Sequence, residues 1–220
     1  WYRVIGLPVV GALVVLAART LLPGDGGHRP LDGIGTGVTP VSHAPGVALA
    51  ALGTLAFGAV LGPEAPLIAL GSATGAAAAK LARLGAKETA VLAMAGSFSA
   101  VSALFGGPVV AGMLMIEAAV DLGAMVVPTL LPGLVAAAVG YVLFVGLGDW
   151  GGLNTTALAF PGLPEYETTY VVDLVFAVIA GIVTALFVAL VRQAARRVQK
   201  RQDAHLTLTL LAGGLPVGLL

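Results

Sequence analysis

Glu64 is an acidic residue inside a long apolar part of the sequence. Apart from Glu88, which lies among basic residues, it is the only acid in the range 33–116. Pro63 precedes it and Pro66 follows it two positions later. Proline suits the first turn of a helix, where its missing N–H has no partner within the helix. The pattern therefore predicts that Glu64 stands at the N-terminus of a helix.

A carboxylate at this position could act as both an ion gate and a proton acceptor. The free N–H groups of a helix N-terminus and the helix dipole favour an anion there. The side chain of Glu64 would occupy that anion site itself, and it would leave when it is protonated or displaced by an ion. The simpler alternative is an acid that only caps the helix or lies at the membrane interface. An acid within a membrane span is, by default, a functional hypothesis.

Composition places this residue in a membrane protein. The chain is 58% hydrophobic and 10% charged, whereas a soluble domain has about a quarter of its residues charged. The formal net charge is zero, which gives no indication of a nucleic-acid partner. The absence of cysteine excludes disulfides and Cys-ligated metals. We therefore predict an all-α, multi-pass protein in which residues 1–220 form a single transmembrane domain without a soluble domain.

Proline and glycine divide the apolar sequence into helices of unequal length. A membrane span needs about 20 residues, which the uncharged run 174–191 nearly provides. Three other uncharged runs are too short or too long for one span: 65–79, 33–63 and 89–116. We expect breaks in the two long runs at Pro40 and Pro45 and at Gly106-Gly107-Pro108. Broken and tilted helices of this kind are typical of channels and transporters.

Charged residues predict the orientation. Two basic clusters, one from Lys80 to Lys87 and one from Arg192 to Arg201, are expected to face the cytoplasm. The acidic loop 149–173 contains no Lys or Arg and is expected outside. A helix from Glu64 to Lys80 would be about 24 Å long, and the hydrocarbon core is about 30 Å thick. Glu64 is therefore predicted to lie within the membrane, nearer its outer face.

Two stretches resemble signatures of the chloride channel (ClC) family of anion channels and anion/proton exchangers. The first runs from Gly62 to Gly75 and is similar to the second family signature, G-K/R-E-G-P. The other runs from Ala95-Gly96 through Phe105-Gly106-Gly107-Pro108 to Glu117 and resembles the F-x-A-P-x-A-G-x-L-F-x-L-E-E region. The order and spacing of segments over residues 4–212 also resemble the N-terminal half of a divergent, bacterial-type member.

The resemblance implies a plasma-membrane homodimer that moves a small, chloride-like inorganic anion, with protons as a possible second substrate and no cofactor or metal. Each subunit would hold one pathway in an inverted-repeat architecture, of which this chain carries the first repeat and the start of the second. Glu64 would be the gate. The remaining signatures are expected beyond residue 220, so the chain alone should be an incomplete transport domain. The anion pathway would involve Gly62, Pro63, Ala65, Pro66, Gly24, Asp25 and Gly26.

The chain departs from the family pattern at several of these positions. Asp25 stands where the first signature, G-S-G-I-P, has its serine, and an ionised acid beside an anion site is repulsive. Asp25 would have to be neutral, paired to His28 or Arg29, turned away, or adapted to an unusual ion. The alternative is a cytoplasmic Asp-Gly turn without a role.

The second signature and the later block also depart from the family. Pro63 replaces the basic residue of the second signature, and Ala65 replaces its second glycine. Glu117 matches the first of two adjacent acids, while Ala118 replaces the second, which serves exchangers as the internal proton acceptor. Glu117 is accordingly predicted to be a structural acid held by neighbouring polar groups.

Three other functions are compatible with parts of the sequence. A degenerate ClC-like protein would fold without transporting anions. An intramembrane hydrolase could use a serine near Ser97 or Ser99, although this needs a histidine base within reach. We instead expect Ser97, Ser99 and Ser102 to pack closely and to bond to backbone carbonyls. A metal site at Asp25, His28 and Asp32 is a further alternative.

Overall fold

The structure is a computed structural model, and it describes residues 2–27, 31, 37–59, 62–118, 126–147, 149–153, 162, 168 and 170–217. Within these ranges the chain is helical and contains no β-strand. A short 3-10 helix, Val41–His43, leads into the second of eight α-helices. The helices are α1 Tyr2–Leu21, α2 Ala44–Leu55, α3 Glu64–Leu81, α4 Ala86–Phe105, α5 Pro108–Ala118, α6 Val126–Val145, α7 Val171–Ala204 and α8 Leu206–Val217.

The helix breaks fall where glycine and proline predicted them. Helix α4 ends at Gly106, which adopts the left-handed conformation with φ 80°, an inexpensive conformation for a residue without Cβ. The N–H groups of Gly106 and Gly107 both donate to the carbonyl of Ser102, at 3.1 and 3.0 Å. Pro108 then begins α5, since its missing N–H is tolerated in a first turn. Pro45 likewise lies in the first turn of α2.

Glycine brings α3 and α4 into backbone contact, and Gly71 and Gly75 have the four-residue spacing typical of closely packed membrane helices. A Cβ at Gly71 would overlap the carbonyl of Gly96, and a Cβ at Gly75 would overlap that of Leu92. A Cβ at Gly96 would in turn overlap the carbonyl of Gly71. The two helices can therefore approach this closely only because these positions lack side chains.

One apolar cluster joins four of the helices. Ile68 of α3 and Met115 of α5, which are 3% and 0% exposed, are among its members. The other buried members come from α4, α5 and α6: Met94, Phe98, Val101, Ala111 and Ala137. Because Ile68 lies one helical turn after Glu64, this cluster anchors the end of α3 that carries the acid.

Two helices continue through residues that could have ended them. Helix α6 runs through Pro132 without a break. Helix α7 includes the whole basic stretch from Arg192 to Arg201, which is helical rather than a loop. Asp173, assigned above to the acidic loop, lies in the first turn of α7, where its carboxylate accepts a hydrogen bond from the N–H of Tyr170 at 2.7 Å. This capping satisfies a helix N–H that would otherwise lack a partner.

Within the described ranges, three helices are long and apolar enough to cross a membrane: Ala86–Phe105, Val127–Val145 and Val171–Ala204. Shorter apolar helices cover Gly6–Leu21, Val41–Leu55 and Pro108–Glu117. This mixture of lengths agrees with the predicted all-α membrane fold of unequal, broken helices. The chain divides into two compact units, one of Trp1–Leu158 with Leu211–Leu220 and one of Ala159–Leu210. Helix α7 dominates the second unit, and its apolar window has no residue buried within the structure.

The predicted orientation can be tested with single cysteines in the full-length protein. We expect Arg83→Cys and Arg196→Cys to react with a membrane-impermeant maleimide only after permeabilisation, because both lie in basic clusters. Asp149→Cys should react from outside in intact cells. All three side chains are exposed in the structure, so accessibility within the fold does not limit the reaction. Equal outside labelling of the Arg196 and Asp149 positions would contradict the topology.

Candidate functional site

Helix α3 begins at Glu64, as predicted, and few backbone donors are free there. Pro63 precedes it with helical angles, φ −75° and ψ 0°. The first N–H groups of any helix have no acceptor within the helix, but Pro63 and Pro66 carry none. The N–H of Leu67 already donates to the carbonyl of Pro63 at 3.0 Å. The donors left at this terminus are therefore the amides of Glu64 and Ala65.

The carboxylate of Glu64 folds back over Gly62. A Cβ built on Gly62 would overlap both carboxylate oxygens and the carbon between them. The side chain of Glu64 is half-buried. Gly62 thus leaves open the space that the carboxylate fills, and this gives the glycine of the signature a physical reason at this position. The sequence predicted the helix start, whereas the direction of the side chain is visible only in the structure.

Polar contacts further along α3 hold this helix in place. The hydroxyl of Ser97 donates to the carbonyl of Ile68 at 3.2 Å, across the α3–α4 contact. One turn beyond Ile68, the hydroxyl of Ser72 accepts a hydrogen bond from the N–H of Thr39 at 3.0 Å. Ser72 and Thr39 are 2% and 8% exposed. Sequence reasoning missed this second bond, since nothing in the spacing of residues 33 apart indicates a contact.

The loop that contains Gly24, Asp25 and Gly26 packs on the first turns of α2. A Cβ at Gly24 would meet the ring of His43 at 2.8 Å, and Gly24 and Gly26 both have positive φ, 89° and 82°. A Cβ at Gly26 would meet that of Ala50 at 3.3 Å. The side chain of Asp25 is exposed. This loop thus contacts α1, the 3-10 helix and α2. Helix α3 packs mainly on α4 and also contacts α2 and the 3-10 helix.

The remaining predicted residues have separate positions. Glu117 is exposed on the last turn of α5, and its predicted role as a structural acid stays a prediction. His28, Arg29 and Asp32 lie outside the described residues, as do the proposed pairings of Asp25 with them. Among the described residues no group of three His, Asp or Glu side chains could hold a metal ion.

The three serines of α4 differ in their contacts. The hydroxyl of Ser97 lies 3.2 and 3.3 Å from the carbonyls of Ile68 and Ala93, which agrees with the predicted bonding to backbone. Ser99 is a packing residue, since its hydroxyl and backbone carbonyl fill the space where a Cβ at Gly140 would lie. The hydroxyl of Ser102 is buried without a hydrogen-bond partner in the described chain, so the predicted bond is wrong there. The backbone carbonyl of Ser102, by contrast, accepts the hydrogen bonds of Gly106 and Gly107 at the end of α4.

Comparison with known proteins identifies the family. A family model described as "Voltage gated chloride channel" matches residues 10–220. Neither the curated proteins nor the solved structures gave a match. The matched range contains α3 with Glu64, the glycine-rich α3–α4 contact and the α4–α5 break. Proteins of this family are membrane channels or transporters for chloride. Because the match covers nearly the whole chain, this protein belongs to the voltage-gated chloride channel family.

Proposed function

We propose that the protein moves a chloride-like anion along a pathway that Glu64 opens and closes. The observation that supports this proposal is the position of the carboxylate, folded over Gly62 at the N-terminus of α3. Within the described part of the chain, the amides of Glu64 and Ala65 have no hydrogen-bond acceptor. Amide groups at such a terminus bind anions. A carboxylate and a small inorganic anion would compete for them, which makes the side chain a gate.

Protonation provides a second way to open the gate. A neutral carboxyl group is attracted less strongly to the positive end of the helix dipole. It would then compete less strongly with an incoming anion for the amides of Glu64 and Ala65. The pathway would thus respond to pH whether or not protons are themselves transported.

Coupled proton transport through an internal acceptor on the cytoplasmic side has weaker support than anion transport. Ala118 follows Glu117 where the family's exchangers have a second acid, and alanine cannot carry a proton. We therefore favour anion movement without an internal proton route at this position. We further infer a homodimer in the plasma membrane, on the strength of the family alone.

The direct test is anion efflux from liposomes that contain the full-length protein. Chloride efflux above that of protein-free liposomes is expected. If the protein is folded and monodisperse but produces no efflux of chloride or larger anions, the alternative of a degenerate, non-conducting member is supported instead.

The space over Gly62 offers a steric test of the gate. We expect Gly62→Ala to displace the carboxylate of Glu64, since the added methyl would occupy its position. The long glutamate side chain can rotate away, so stability should change by less than about 1.5 kcal/mol. The efflux rate should rise at neutral pH and lose most of its pH response. Gly58→Ala is a comparison variant, because a Cβ there would meet only Pro8 at 3.8 Å; its positive φ makes it the more strained of the two. An unchanged Gly62→Ala efflux profile would mean that the carboxylate position does not control the pathway.

A further inference from the structure

The C-terminal part of α7 has a strongly basic, exposed surface. Residues 192–204 include five basic side chains and one acid, and all five basic side chains are exposed. At 3.6 residues per turn, they fall within about 180° of the helix circumference. The other side of the helix holds the half-buried residues Ala195, Gln199 and Gln202. The α7 basic face is defined by its five members: Arg192, Arg196, Arg197, Lys200 and Arg201.

The α7 basic face directly follows the apolar part of the same helix. Residues 174–191 are uncharged, and the apolar window of α7 has no residue buried within the structure. Arg192 comes 19 positions after Asp173, which is about 29 Å along a helix. The hydrocarbon core of a membrane is about 30 Å thick. With Asp173 at one boundary of that core, Arg192 therefore lies at the other.

The remaining basic residues lie at different depths beyond this boundary. The polar headgroup layer is roughly 5–8 Å thick on each side of the membrane. Arg196 and Arg197 lie about 6–8 Å beyond Arg192 along the helix, and Lys200 and Arg201 about 12–14 Å beyond it. The inner pair, Arg196 and Arg197, thus reaches the headgroup phosphates. The outer pair, Lys200 and Arg201, lies past the layer, where salt screens charges within about 8 Å.

The acid of this stretch offsets only the outer end of the basic face. Asp203 lies three positions after Lys200 on the same helix, so these two charges are neighbours. It is too far along the helix to neutralise Arg192 or Arg196. The next helix, Leu206–Val217, contains no charged residue. The α7 basic face therefore connects two apolar helices and remains within reach of the membrane surface.

We propose that the α7 basic face binds the headgroups of anionic phospholipids, with Arg196 and Arg197 as the main contacts. A guanidinium group forms bidentate, charge-assisted hydrogen bonds with phosphate. Anionic lipids of the cytoplasmic leaflet attract basic segments next to a membrane span. The interaction goes beyond the proposed anion transport and does not depend on Glu64. It takes only its side of the membrane from the predicted orientation.

The test is the Tm of the full-length protein in neutral detergent micelles to which lipid is added. Phosphatidylglycerol should raise Tm of the wild type more than phosphatidylcholine does, because a ligand of the folded state stabilises it. Arg196→Gln/Arg197→Gln should weaken the apparent affinity for phosphatidylglycerol by about tenfold or more. The other basic residues remain in this variant, so the orientation should be kept. Labelling of Asp149→Cys from outside checks it.

Two control variants separate contact with headgroups from overall charge. Lys200→Gln/Arg201→Gln removes the same charge from the outer pair and should weaken the apparent affinity by less than about threefold, since this pair lies beyond the headgroup layer. Arg196→Lys/Arg197→Lys keeps both charges at the inner positions and should retain most of the phosphatidylglycerol response. In about 1 M salt, the response of the wild type should largely disappear.

Four results would overturn the inference. Equal effects of phosphatidylglycerol and phosphatidylcholine on the wild type would show that the face does not distinguish anionic lipid. Equal losses in the two glutamine pairs would mean that only overall charge matters. If Arg196→Gln/Arg197→Gln lowers Tm by the same amount in every lipid, the inner pair binds another part of the protein. A wild-type response to soluble glycerol phosphate equal to that to phosphatidylglycerol would indicate a site for free phosphate esters.

Discussion

Glu64→Gln should give anion efflux that no longer responds to external pH. Glutamine has nearly the shape of glutamic acid but cannot ionise, so the competition between carboxylate and anion for the amides at the start of α3 is lost. The wild-type rate should rise as external pH falls, by up to about tenfold per pH unit, because each unit gives a tenfold higher concentration of the protons that would open the gate. The variant rate should stay nearly constant. The measurement is efflux from liposomes with the full-length protein, from about pH 4 to about pH 8.

Two further variants separate the gate from the helix cap. Glu64→Ala removes the side chain and should leave the amides open, giving high efflux at every pH. Glu88→Gln makes the same chemical change in the first turn of α4, at an exposed position outside the site, and should behave like the wild type. If both Glu64 variants keep the wild-type rate and pH response, Glu64 is only a helix cap.

The second large effect is expected from Gly75→Leu. A Cβ at Gly75 would overlap the carbonyl of Leu92 and approach Cα of Ala93 to 3.0 Å. Backbone cannot rotate away as a side chain can, so α3 and α4 would have to separate. Overpacking in a core costs about 1–3 kcal/mol and occasionally more, against a total stability of about 5–15 kcal/mol. We expect a large fall in Tm, or a protein that cannot be purified in folded form.

Ala78→Leu is the matched control for this prediction. It adds a similar apolar side chain to the same helix, three positions later, on an exposed face. Its Tm and yield should remain close to those of the wild type. A Gly75→Leu variant with wild-type Tm and normal efflux would show that the α3–α4 approach is wider than the structure has it.

The loss of the α3–α4 contact should also reach the site. Ile68, which anchors the helix that begins at Glu64, accepts the hydrogen bond of Ser97 across this contact. The position of the gate therefore depends on residues that touch no anion. Gly75→Leu is therefore expected to disturb both the α3–α4 packing and the gate. Glu64→Gln should change the gate alone.

The success and failure of the sequence predictions follow the range of the interactions involved. The start of α3 at Glu64 and the break at Gly106 were predictable, because missing N–H groups and positive φ act within one or two residues. A proline alone does not end a helix, since α6 continues through Pro132. The extension of α7 through Arg201 was missed because charge indicates an aqueous location, which a helix can enter without ending.

The sequence by itself determined the membrane class, the helix breaks and the position of Glu64 at a helix start, because composition, proline and glycine act locally. Only the tertiary structure decided where the Glu64 carboxylate lies and which serines have partners. The physical reason is that side-chain direction and burial depend on contacts between residues far apart in sequence, such as Thr39 with Ser72. No local pattern encodes the identity of those neighbours.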